Sequence, residues 1–124
     1  VSKGEQANPA HEGPMWLLRG GEVLAAAEVA ATHSARLRGL AGRRGYEGAL
    51  CVPRARMAHT LGMRFALDVA FLDADLVVVD TVRVAPWRVT RPRLSCRWVV
   101  QAEAGAFERW RLRPGDQLEL HSVS

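Results

Sequence analysis

His59, Thr60 and Asp68 all fall in one stretch, HTLGMRFALDVAFLD, and each carries a group able to take part in proton transfer or substrate binding. A carboxylate orienting a histidine is an acid–base arrangement, and with Thr60 and one of Arg38, Arg56 or Arg64 the two would surround a pocket. A nucleophile is missing. No GxSxG motif occurs, neither Cys51 nor Cys96 has a histidine nearby in sequence, and nothing in the pattern supports Thr60 in that role. The other reading of Asp68 is structural. Phe65, Leu67, Val69 and Phe71 alternate as one face of a strand, which places Asp68 on the opposite side between Ala66 and Ala70. An ionised carboxylate buried there without partners would cost several kcal/mol. Arginine side chains or backbone N–H groups are therefore expected to meet it and to pin a neighbouring segment. With a two-residue loop at Ala74-Asp75, Asp68 would lie opposite Thr81 and diagonal to Arg83. His59 precedes the natural turn Leu61-Gly62, so its ring is expected to bond the turn backbone.

Other chemistry is poorly supported. The four histidines show no HxH or HxxxH spacing, and the two cysteines lie far apart with no CxxC, so no metal and no cofactor are expected. Cys51 and Cys96 sit in apolar runs, where a free thiol packs as a small hydrophobe. The formal charge of +4 raises nucleic-acid binding as a possibility. Yet 16 of the 17 basic residues are arginines scattered among acids, which reads as the codon bias of a GC-rich genome rather than a basic stripe. Weak nucleic-acid binding is kept only as a third alternative.

The elements that must position these residues are mostly strands. The 124 residues fit a single domain with its own core. Residues 1–14 read as a disordered tail ahead of one domain over 15–124, and Met15, which opens the first apolar run, is a candidate start. No signal peptide or membrane span is evident, so the expected location is the cytoplasm. Strands are expected at MWLLR, EVLAAAEVA, GALCV, RMAHT, RFALDVAFL, LVVVDTVRV, CRWVVQAEA and QLELHS. One clear helix is expected near residues 33–42, with Gly39 inside it as a site of close packing, and a short helical turn near 106–111. APWRVTRPR reads as a loop. Fold class is thus mostly β (α+β), a small curled sheet or open β-barrel. Trp16 and Trp98 are expected in the core, and Trp87 and Trp110 on an amphipathic rim.

RLRGLAGR at 36–43, HTLGMRFALDVAFLD at 59–73 and VVQAEAGAFERWRLRPGDQLEL at 99–120 follow in the order and spacing of DUF192. The chain resembles that family of small prokaryotic proteins over residues 16–120. The resemblance implies a compact, mostly β, barrel-like domain, and no activity, because the family's role is not established. Ala41, Leu61 and Ala66 stand where the family usually has Met, Phe and Pro. Gln101 stands where Glu is common, which removes a carboxylate from any acid–base scheme using that position.

The favoured function is a non-catalytic binding or accessory module. It would present a groove lined by Arg38, Arg56, Thr60, Arg64, Arg83 and Trp87 to a peptide, small anion or partner protein, as a monomer or weak dimer. The alternative is a small hydrolase-like enzyme using Asp68 and His59.

Overall fold

The structure, a computed structural model, describes residues 14–30 and 48–123. Seven strands and one short helix make it up: β1 (Pro14–Arg19), β2 (Glu22–Val29), β3 (Ala49–Pro53), β4 (Leu67–Leu72), β5 (Val78–Val84), β6 (Trp98–Glu103), α1 (Ala106–Trp110) and β7 (Glu119–Ser122). They form one sheet in the order β5-β4-β6-β3-β2-β1-β7. Every pairing is antiparallel except β2 with β3. The sheet curls without closing into a barrel. Its two edges meet at one point, where Val77 bridges Gln117.

β1 opens at Pro14, the last residue of the expected tail. The helix expected at 33–42 and Arg38 lie outside the described residues. RMAHT is not a strand. It contributes a single bridge, His59 to Val89, because the Thr90 hydroxyl takes the Ala58 N–H that a ladder partner would need. The hairpin arms are shorter than expected, starting at Leu67 and Val78 rather than Arg64 and Leu76.

The apolar pattern of the central strands follows from their position. β3 and β4 are buried at every residue, because packed side chains cover both sheet faces. One core holds Ala70 and Leu72 of β4 with Met15, Leu17, Val100, Phe107, Leu118 and Leu120. The other holds Leu67, Val69 and Phe71 with Leu50, Val52, Ala58, Met63 and Val99. The sheet separates them. Trp98 is 7% exposed and belongs to the first core, but Trp16 is 41% exposed, against expectation. β1 alternates, and Met15 and Leu17 take the inward positions. Trp110 is half-buried: it packs against the first core and against the Phe107 ring, with centroids 5.4 Å apart.

Gly48 opens β3 at φ +93, with the Ala26 carbonyl oxygen only 2.6 Å from where a Cβ would stand. Close approach of β2 to β3 therefore requires glycine there. No helix among the described residues is long and apolar enough to cross a membrane.

Cys51 and Cys96 are free, buried thiols, as expected. Burial pushes the Cys51 thiol up to about 12. The Cys96 sulfur sits between the carbonyls of Ala55 and Trp98, at 3.2 and 3.0 Å. At pH 8 the native protein should leave Cys51 unlabelled by iodoacetamide, while in denaturant mass spectrometry should show it carbamidomethylated.

Candidate functional site

Asp68 has three donors. Its Oδ1 accepts from Arg83 Nε at 3.0 Å, and its Oδ2 from the backbone N–H groups of Gly105 and Phe107 at 2.9 and 3.2 Å. The residue is 4% exposed. Arg83 lies directly opposite it on β5, not Thr81. The two-residue offset arises because the turn spans 73–77 and the register shifts at Phe71/Leu72, leaving Val79 without a partner. The Asp73 carboxylate holds that longer turn, accepting from Asp75 and Val77 N–H at 2.9 and 3.0 Å. The pairing raises the Arg83 pKa, chiefly through the hydrogen bond to Asp68.

Gly105 is the N-cap of α1 and has no side chain of its own to cap the helix. Asp68 supplies that cap from another strand, placing negative charge where the helix N–H groups are unpaired. At the opposite end Arg19 donates to the carbonyls of Trp110 and Arg111, at 2.7 and 3.1 Å, and to Asp116 at 3.0 Å. A charge of the complementary sign thus holds each end of α1. Arg19 was not among the candidates from sequence; its only signal was a lone cation before the Gly20-Gly21 turn.

His59 is elsewhere. Its Nδ1 accepts the Leu61 N–H at 3.1 Å, so the ring caps the turn as expected. Ala58 and Met63 on either side belong to the second core, across the sheet from the face carrying Asp68. No hydrogen bond between His59 and Asp68 is formed. Thr60 is fully buried: its hydroxyl donates to Ala85 O at 2.5 Å and accepts Arg88 N–H at 2.9 Å. Its backbone completes the knot, donating to Arg88 O at 2.8 Å and accepting from Trp87 and Met63. Among the described residues no group of three or more His, Cys, Asp or Glu is placed to hold a metal ion.

The Thr60 knot shapes the loop from Ala85 to Arg93. Between this loop and the end of β5 runs a groove of about 390 Å³. Val82, Val84 and Val89 give it apolar surface, and Arg83, Arg88, Arg91 and Arg93 line it with no acid among them. Arg83 is engaged by Asp68. Arg93 pairs with Asp80 at 3.0 Å and lies 4.1 Å over the Phe71 ring. Arg88 and Arg91 have no carboxylate partner among the described residues. Trp87, 63% exposed and at φ +62, immediately precedes the groove residue Arg88. Arg56 and Arg64 are exposed as well. Arg56 lines a separate hollow with Arg54, Arg97 and Cys96. The groove thus joins Arg83 of β5 with Arg88, Arg91 and Arg93 of the APWRVTRPR loop.

The fold and site define a small open-sheet β domain with a buried carboxylate clamp and an arginine-lined groove. Two solved structures share this fold: a Sinorhizobium meliloti protein provisionally described as a transcription regulator (TM-score 0.72, 20% identity, 92% of this chain and 97% of that one) and a Novosphingobium aromaticivorans protein of unknown function (TM-score 0.71, 21% identity, 96% and 97%). The chain belongs to the DUF192 family, described as "Uncharacterized ACR", whose model matches residues 16–120. Curated relatives are UPF0127 proteins of Pyrococcus furiosus, 38% identical over 65 residues, and Pyrococcus abyssi, 31% over 61. Those alignments cover 52% and 49% of this chain and 56% and 52% of the relatives, so the chain spans about half the length of the curated relatives it matches.

Asp68→Asn should lower stability by about 2–4 kcal/mol in urea unfolding, since an amide cannot accept from all three donors with a full charge. Arg83→Ala should shift the midpoint less, because the two N–H partners remain. Thr60→Val should cost about 1–3 kcal/mol, leaving buried polar groups unpaired, and should speed amide exchange at Trp87 and Arg88.

Proposed function

We propose that the domain is a non-catalytic binding module whose groove along residues 82–93 takes an anionic ligand. The observation that carries this reading is the charge pattern of the groove. Four arginines line it without an acid, and two of them, Arg88 and Arg91, are left without a carboxylate partner among the described residues. Among the described residues Arg88 spends only its Nη1, on the Trp87 carbonyl at 3.3 Å. A guanidinium without a carboxylate partner keeps N–H groups for a carboxylate or phosphate. The valines of the lining add surface for a ligand that is not purely ionic, in keeping with the apolar lining common to binding sites. The groups with acid–base potential are engaged otherwise. Asp68 accepts from Arg83, Gly105 and Phe107, and the Thr60 hydroxyl is committed to the loop.

Titration of the isotopically labelled protein with citrate tests the reading. The Arg88 and Arg91 side-chain Nε and the Val89 and Thr90 amide resonances should shift saturably. The paired variant Arg88→Ala/Arg91→Ala should weaken binding by about tenfold, a loss of about 1.4 kcal/mol, and Arg64→Ala should leave it unchanged. Absence of a saturable shift, or equal affinity in the paired variant, would overturn the proposal.

A further inference from the structure

We infer that the ligand is an acidic peptide bound as an added strand on the outer edge of β5. This rests on the anion-binding reading above and specifies how the same groove is filled.

β5 is an end strand of the sheet. The direction of its free backbone groups follows from its neighbours. Arg97 N–H donates to Leu72 O, so the backbone of Leu72, with Ala70 and Asp68 in alternation, turns towards β6. Leu67, Val69 and Phe71 must then face β5, and their partners Val84, Val82 and Asp80 take up those bonds. The backbone groups of Thr81 and Arg83 are left pointing outward. At the start of the strand the edge is occupied: Val78 N–H donates to Asp116 O at 2.8 Å, and its carbonyl accepts Gly115 N–H at 2.7 Å. Thr81 N–H is taken by the Asp80 carboxylate at 2.9 Å. That leaves the Thr81 carbonyl and both backbone groups of Arg83 without a partner among the described residues. They lie beside the groove.

Unpaired edge groups of this kind are a template for a further strand. The charges natural edges use to repel partners are cancelled here, Asp80 by Arg93 and Arg83 by Asp68. What remains is positive, at Arg88 and Arg91. A second copy of β5 would bring the same cations together, whereas an acidic segment complements them. Side chains of an added strand alternate between faces. On one face they meet Val82 and Val84 below Arg88 and Arg91, and on the other they pass Arg83. Acidic and apolar residues in alternation satisfy both. Because Asp80 blocks the Thr81 donor, pairing is confined to the last part of β5.

The peptide acetyl-Glu-Val-Glu-Val-Glu-Val-amide tests this with the full chain, read by amide shifts at residues 81–93. Two further peptides carry N-methyl groups on one or the other alternate set of amides. One of these should lose binding by at least about tenfold, the other should match the parent, and the Lys-for-Glu peptide should not bind. If both N-methylated peptides bind as the parent does, the groove holds acids by charge alone and the strand inference fails while anion binding stands. If citrate binds and the parent peptide does not, the strand inference also fails. Failure of both probes removes the underlying reading. Concentration-dependent dimerisation that broadens 81–83 and resists the peptide would assign the edge to a second copy instead.

Discussion

A carboxylate buried against one face of a sheet needs donors to stay charged, and the arrangement around Asp68 answers that constraint. One oxygen takes a guanidinium from the neighbouring strand and the other takes the backbone N–H groups of the N-cap Gly105 and of Phe107 in the first turn of α1. A five-residue helix has no independent stability in water. α1 exists because Asp68 and Arg19 satisfy its ends and Phe107 and Trp110 bury its apolar side. Removing the acid would therefore loosen the β4–β5 pair and the helix together.

The Thr60 knot does comparable work on the other side of the sheet. A single threonine, fully buried, binds the 59–63 turn to the 85–88 segment through its hydroxyl and its backbone. It holds Trp87 at positive φ on the surface and sets the spacing between the 88–93 loop and the edge of β5. The groove is the space left between a rigid edge and a pinned loop. Its arginines differ in what they do. Arg93 and Arg83 are structural ion pairs, while Arg88 and Arg91 are held out by the loop.

The DUF192 blocks were legible because they carry local patterns: a two-residue alternation in β4, turn residues at Gly62 and Gly115, and apolar runs in the central strands. The alternation also placed Asp68 on the side of Ala70 and Leu72, where it is found. The register was not legible. A bulge that skips Val79 moved Arg83 opposite Asp68, and no local spacing announces such a shift. Trp16 was misplaced for a related reason: in PMWLLR both alternating sets contain apolar residues, and only packing against β2 and β7 decides that Met15 and Leu17 point inward. RMAHT had a strand's composition, but its ladder was interrupted by the hydroxyl of Thr90, 32 positions away.

The sequence by itself determined which segments become central strands, that the cysteines pack as hydrophobes, and that Asp68 would need donors, because these follow from periodicity and the cost of desolvating charge. Only the tertiary structure decided which donors Asp68 received. Gly105 and Phe107 lie 37 and 39 residues away, and their N–H groups carry no side-chain signature. It also decided that His59 and Asp68 fall on opposite faces of the sheet. They are nine positions apart along the chain, but the intervening turn carries His59 to the side of the second core. Proximity in sequence does not survive that turn.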